Sequence, residues 1–186
     1  FPYTTLFRSA PGADGRGSVV DLLAHPHTPC VHIRAFHAGV ARTAQGLAVH
    51  YRIEGDLDRL RIPAPGRREP GERLWEHMCF ELFLAPGSAA AYREFNFAPS
   101  GQWAAYAFER YRHGGPSPLP DPAIAVRREA GWLELEASVP AAAAKLRLGI
   151  SAVIEDEKGA LSCWALKHAP GKPDFHRAEA FALELE

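Results

Sequence analysis

Nowhere in this chain do about 20 apolar residues follow one another, because charges or prolines interrupt every candidate run. Nothing is therefore long enough to cross a bilayer as a helix. Charge of one sign is missing as well: 21 Lys and Arg stand against 22 Asp and Glu, for a formal net charge of -1. No long-range field gathers such a chain onto phosphates or anionic lipid, so neither nucleic acid nor membrane is an expected partner. Cysteine is scarce and odd in number. Cys30, Cys79 and Cys163 cannot all pair with one another, and their spacing lacks a CxxC metal signature. Buried thiols in a reducing, cytoplasmic setting are the expectation that follows. The GxSxG elbow, the Gly-rich phosphate loop and the HExxH zinc motif are also absent, so catalysis is not expected.

Alternation with a period of two is present instead. Around Gln45-Gly46 the run "VHIRAFHAGVAR" gives way to "LAVHYRIEG", where Leu47, Val49, Tyr51 and Ile53 alternate with His50, Arg52 and Glu54. That pattern predicts a hairpin with one wet face. "IPAPGRREPGER" is too rich in Pro, Gly and charge for a strand or helix and is expected to be a surface loop. A strand "LWEHMCFELFLAPG" follows, then the hairpin "REFNFAPSGQWAAY", then the long loop "HGGPSPLPDP". "AIAVRREAGWLELEASV" reads as two strands about Ala130-Gly131, "PAAAAKL" as a short helical turn, and "RLGISAVIEDEKGALSCWALKH" as a hairpin turning at Glu157 to Gly159. "FALELE" is a last strand. Many short strands, with helices only as connectors, predict an all-β, antiparallel two-sheet β-sandwich.

No repeat or linker divides the chain, and 186 residues suit one core. The opening "FPYTTLFRS", Phe1 to Ser9, reads like an in-frame translation of a sequencing-adapter primer and is expected to stand outside the fold. A lead-in over 10–29 and a single sandwich domain over 30–186 complete the expected organisation.

Three blocks in order carry a family likeness: "LWEHMCFELFL", "YREFNFAPSGQWAAYAFERYR" and "GISAVIEDEKGALSCWALKHAPGKPDFH". From about Leu22 to the C-terminus the chain resembles bacterial DOMON-like domains, which are related to type 9 carbohydrate-binding modules. The resemblance implies a β-sandwich that binds a ligand, the ligand being a sugar or a haem. It also implies a sugar clamped between two Trp side chains, with acidic and basic groups around the rim.

The residues themselves offer candidates. In "LWEHMCFELFL" the row Met78, Phe80, Leu82 and Leu84 should point into the core, leaving Trp75, His77, Glu81 and Phe83 on the other face. If Phe97 and Gln102 flank a four-residue loop as a pair, Asn96 lies opposite Trp103 and Glu94 opposite Ala105. Trp75, His77, Glu81, Glu94, Asn96 and Trp103 would then share one surface. Such a surface suits a pyranose, whose apolar C-H faces stack on indole and whose hydroxyls need planar donors and acceptors. Trp164 competes with Trp103 for the second half of a clamp. Lys167 and His168 follow the Trp164 strand, in a proline-stiffened tail that also holds Lys172, Asp174 and His176.

The expected function is thus a non-catalytic domain binding carbohydrate, with no cofactor; a haem-binding domain or a protein-interaction module is the alternative. In the competing structural reading, the indoles anchor sheet edges and the acids pair with Arg93 and Arg112. Haem would call on Met78, whose parity places it in the core, and no CxxCH motif is present to attach it. The cluster His25, His27, Cys30, His32 and His37 has the composition of a zinc site, but convergence of three or four of these side chains is not expected. Glu81 and Glu94 could serve as a glycosidase-type acid and base, yet nothing in the sequence fixes their separation.

Overall fold

The stretch Gly46–Gly55 buries Leu47, Val49, Tyr51 and Ile53 completely, while Ala48, His50, Arg52 and Glu54 between them stay half-buried. A computed structural model, which describes residues 18–118 and 121–186, shows the same rule organising two sheets.

The smaller sheet has the order β1-β3-β4-β10-β9. Its strands are β1 (Ser18–Asp21), β3 (Ile33–Thr43), β4 (Gly46–Gly55), β10 (Trp132–Val139) and β9 (Ile124–Glu129). The larger sheet runs β2-β12-β11-β5-β6-β7-β8. It is built from β2 (Leu23–Ala24), β12 (Leu161–Ala165), β11 (Leu146–Glu155), β5 (Cys79–Pro86), β6 (Tyr92–Phe97), β7 (Trp103–Arg110) and β8 (His113–Pro116). An eighth strand, β13 (Leu183–Leu185), pairs with the first part of β11. Every ladder between these strands is antiparallel. Helical structure among the described residues is limited to 3-10 turns at Leu57–Arg59, Leu74–Glu76 and Ala178–Ala180. The protein is the all-β, antiparallel two-sheet sandwich that the alternation predicts.

The core lies between the sheets. Phe36, Val49, Tyr51 and Leu135 come from the smaller one, and Met78, Phe80, Leu82, Leu84, Phe95, Phe97 and Ile150 from or beside the larger. Met78, raised above as a haem ligand, packs in this core. Tyr51 also ties the sheets together: its hydroxyl donates to the backbone carbonyl of Glu81 at 2.7 Å, and its ring lies 5.1 Å from that of Phe80. The exposed face of the smaller sheet carries charge instead, with Glu134 held by Arg52 and Arg127 at 2.6 and 2.9 Å.

Several local expectations are corrected. The strand expected from Leu74 opens with the 3-10 turn Leu74–Glu76 before β5 begins at Cys79. "PAAAAKL" forms no helix; its first residues are irregular, and Leu146 already belongs to β11. The loop after β7 starts with β8, which folds back on β7 through pairs such as Phe108↔Gly114. From the expected lead-in, β1 pairs with β3 and β2 with β12. The segment Phe1 to Ser9 lies outside the described residues.

The hairpin at "APSG" holds the correction that matters for the site. The N–H of Gly101 donates to Ala98 O at 2.9 Å and that of Ala98 to Gln102 O at 2.9 Å, so Gln102 belongs to the loop. Gly101 adopts φ +95, a left-handed conformation that glycine tolerates. Phe97 therefore pairs with Trp103, Asn96 with Ala104 and Glu94 with Tyr106. A loop of five residues rather than four moves every β7 side chain to the opposite face.

Candidate functional site

The outer face of the larger sheet is not left to solvent. Phe83, Ala85 and Tyr92 form a second apolar cluster there with Phe181, which arrives from the chain beyond β12. Gly149 permits that approach, since a Cβ at this position would stand 3.0 Å from the Phe181 ring. His176, from the same covering segment, packs edge-on against Phe83 and Phe108 with ring centres 5.3 and 5.1 Å away. Sheet and segment together line a half-open cavity of about 360 Å³.

Two carboxyl groups form its floor. Glu81 on β5 pairs across the ladder with Asn96, and Glu94 on β6 pairs with Phe83, so Glu81 and Glu94 are diagonal neighbours on one face. Both are buried. Glu81 accepts from Ser151 Oγ at 3.1 Å, and Glu94 accepts from Asn96 Nδ2 at 2.9 Å. The other side-chain atom of Asn96, Oδ1, is buried without a hydrogen-bond partner.

Aromatic rings and a small ionic group make the walls. Trp75, 40% exposed, rises from the 3-10 turn and meets Tyr106 edge-on, ring centres 5.7 Å apart. Phe108 lies next along that face of β7. Arg112, in a left-handed turn with φ +52, holds Asp174 of the covering segment at 2.9 Å. Asp174 also accepts from the Tyr111 hydroxyl and from the backbone N–H of His176. Tyr92 Oη accepts from the Arg112 backbone N–H at 3.1 Å and lies 2.8 Å from His176 Nδ1. Donating its own proton to Nδ1 leaves the imidazole proton on Nε2, which faces Glu94 Oε2 at 3.7 Å.

Burial dominates the acid–base character of this group. It raises Glu94 to about 7, against hydrogen bonding from Asn96 and the charge of Arg112. Burial, and then the neighbouring Glu94, push Glu81 well above the usual carboxylate range. His176 falls to about 4 through burial and the nearby Arg112, so it is neutral at pH 7. Burial opposes ionisation of Asp174 too, but the hydrogen bonds from Tyr111 and Arg112 outweigh it and hold that carboxylate below its ordinary value. The cavity thus holds one fixed ion pair, a neutral imidazole and two carboxyl groups that retain protons toward neutrality.

Of the nine residues singled out from sequence, Trp75, Glu81 and Glu94 line the cavity, and Asn96 supports Glu94 from the same face. The other five lie elsewhere. Trp103, 5% exposed, is in the main core, because the longer loop turns it inward opposite Phe97. Trp164, 7% exposed, pairs with core-facing Ala152, packs against Phe36 and donates from Nε1 to Ser162 Oγ at 3.0 Å. Neither indole can join Trp75 in a clamp. His77 is exposed and bonds to Glu155 Oε2 through Nδ1 at 2.8 Å. Lys167 is exposed, and His168 donates from Nε2 to the Leu23 carbonyl at 2.8 Å; none of these three lines the cavity. Arg112, Asp174 and His176 enter the site from outside the expected set, with Tyr106 and Phe108 from β7.

The histidine-rich N-terminal cluster is dispersed. His25 packs against His27 and His168, whereas His37 pairs with Asp21 at 2.6 Å. Among the described residues no group of three or more His, Cys, Asp or Glu converges as a metal site, and all three cysteines are free. No helix among them is long and apolar enough to cross a membrane.

No family model matches the chain, and no curated protein sequence does. A solved structure that it resembles is that of a protein from Bacteroides uniformis named for a presumed carbohydrate-binding role. The two share 15% identity and a TM-score of 0.63 over 91% of this chain and 85% of the other. At that identity the likeness shows the shared fold.

Proposed function

We propose that this protein is a non-catalytic carbohydrate-binding domain of the DOMON-like, type 9 carbohydrate-binding-module kind, and that the sugar occupies the cavity on the outer face of the larger sheet. The observation that carries the reading is the pairing of a partly exposed indole, Trp75, with buried carboxyl groups of Glu81 and Glu94 in one half-open cavity. A pyranose presents an apolar C-H face beside hydroxyls, and this space offers a ring for the first and planar acceptors for the second. Its volume of about 360 Å³ lies at the lower end of the roughly 300–1,000 Å³ range of small-molecule sites, which suits one or two sugar rings better than a long glycan. The fold shared with the Bacteroides uniformis protein supports the same class of ligand.

Isothermal titration of the purified chain against a panel of mono- and oligosaccharides tests the proposal. Saturable binding that Trp75→Ala weakens by on the order of 1 to 3 kcal/mol is the expected result. A flat response to the whole panel, or binding indifferent to Trp75→Ala, would remove this cavity as the sugar site.

A further inference from the structure

The two floor carboxyls lack a cation of their own. Glu81 has a hydroxyl from Ser151 and Glu94 an amide from Asn96, and neither forms an ion pair with Lys or Arg among the described residues. Arg112, the cation lining the cavity, is committed to Asp174 at 2.9 Å. His176 stands 3.7 Å from Glu94 as a neutral imidazole. A buried carboxyl group in this position is satisfied either by keeping its proton or by meeting a positive charge.

Three further observations define what that charge must be. Among the described residues no group of three or more His, Cys, Asp or Glu side chains is placed to hold a metal ion, so a bare ion would be under-coordinated. The floor offers acceptors in the carboxyl oxygens of Glu81 and Glu94, whereas the unpartnered Asn96 Oδ1 is buried outside the cavity lining. The walls are aromatic, from Trp75, Tyr106 and Phe108, and such rings attract cations as well as C-H faces. An ammonium group meets all three conditions, because it brings three N–H donors and a full charge without demanding a coordination shell.

We propose that the cavity selects sugars carrying a protonated amine, the ammonium taking the place of the missing cation between Glu81 and Glu94 while the sugar ring lies along Trp75. This specificity rests on the carbohydrate reading above. Because Glu94 holds its proton up to about pH 7, binding near neutrality releases a proton to solvent as the carboxylate forms. No covalent bond changes. N-acetylation would remove the charge and two of the three donors, and a plain hydroxyl would leave the carboxyls protonated.

The test is isothermal titration of the full chain at pH 7 with glucosamine, N-acetylglucosamine, glucose and, as a sugar-free amine, ethylammonium. Two buffers of different protonation enthalpy would reveal proton release. Glucosamine should bind about tenfold or more tightly than glucose and N-acetylglucosamine, with net proton release. On Glu94→Gln, and separately on Glu81→Gln, glucosamine should lose its preference over glucose measured with the same variant. Far-UV dichroism would confirm that each variant is folded. Equal affinity for all three sugars would overturn this inference and leave the carbohydrate reading standing. Ethylammonium binding without a response to any sugar, or silence from all four compounds, would overturn this inference, and a flat response to the wider saccharide panel as well would overturn the carbohydrate reading with it.

Discussion

Replacing Glu94 by Gln should stabilise the protein at alkaline pH and leave it nearly unchanged in acid. The buried carboxyl holds its proton up to about pH 7, whereas its ordinary value is 4.5. Between those values the unfolded chain has already lost the proton that the folded one retains. Stability from this group is therefore complete below about pH 4.5 and is lost as pH rises through 7. At about 1.4 kcal/mol per pH unit, the interval between 4.5 and 7 corresponds to about 3 kcal/mol. Gln mimics the neutral acid and can still accept the Asn96 amide, so the variant escapes the penalty. His176 works in the other direction in both proteins: lowered to about 4, it favours the unfolded state below its ordinary value of 6.5 and ceases to do so as pH rises. The wild-type curve alone would mask these opposing slopes, and the difference between wild type and variant separates them. Urea denaturation at about pH 4.5, 6, 7 and 8.5 measures it. The expected gap is near zero at the acid end and grows to about 3 kcal/mol in favour of Glu94→Gln at the alkaline end. A gap that stays constant, or that turns against the variant as pH rises, would show that ionised Glu94 is well accommodated and refute the reasoning.

Trp103→Ala should cost about 3 to 5 kcal/mol in chemical denaturation, as expected for a large core side chain, without reporting on ligand. Trp75→Ala should cost less than about 1 kcal/mol of stability while weakening sugar binding; equal destabilisation by the two changes would contradict their placement. Tyr51→Phe should lose about 1 to 2 kcal/mol, because the Glu81 carbonyl between the sheets is left without its donor; an unchanged urea midpoint would show the bond to be dispensable. Gly46→Ala should lower the melting temperature sharply, since φ is +146 and the new Cβ would stand 2.2 Å from the Val139 carbonyl; a melt within a degree of wild type would disprove this.

The sandwich was legible because alternation is a local signal, repeated wherever one row of a strand faces the core. Met78, Phe80, Leu82, Leu84, Phe95 and Phe97 are buried as their parity requires, and Glu81 and Glu94 stand on the opposite row. Parity fails where it is carried through a feature that breaks the period. The extra loop residue Gln102 reverses β7, bringing Tyr106 beside Glu94 and sending Trp103 inward. Counting Gly101 as the end of the turn and Gln102 as a further loop residue would have supplied this register. His77 is separated from Glu81 in environment because a 3-10 turn precedes β5. The covering segment is recognisable as a loop that could carry recognition groups, but the sequence favours Lys167 and His168 over the residues that reach the site. "KPDFH" has no alternation to read, and only its packing against Phe83, Tyr92 and Phe108 shows that Asp174 and His176 belong to the site. The apolar Phe83 on an expected wet row was the available hint, since a strand apolar on both faces signals cover on each.

That covering segment gives the molecule a division of labour. The floor of the cavity is woven into the central ladder of the larger sheet, where Glu81 and Glu94 sit on neighbouring strands. The opposing wall near Asp174 and His176 belongs to no strand, and is fastened by side-chain contacts from Tyr92, Tyr111 and Arg112. Substitutions or length changes in the wall leave the sandwich ladders intact, whereas changes in the floor must pass through the folding of the whole sheet. A lineage built on this scaffold can therefore recut its specificity one loop at a time around an inherited acidic base, and relatives should differ most where the wall is and least where the carboxyls are.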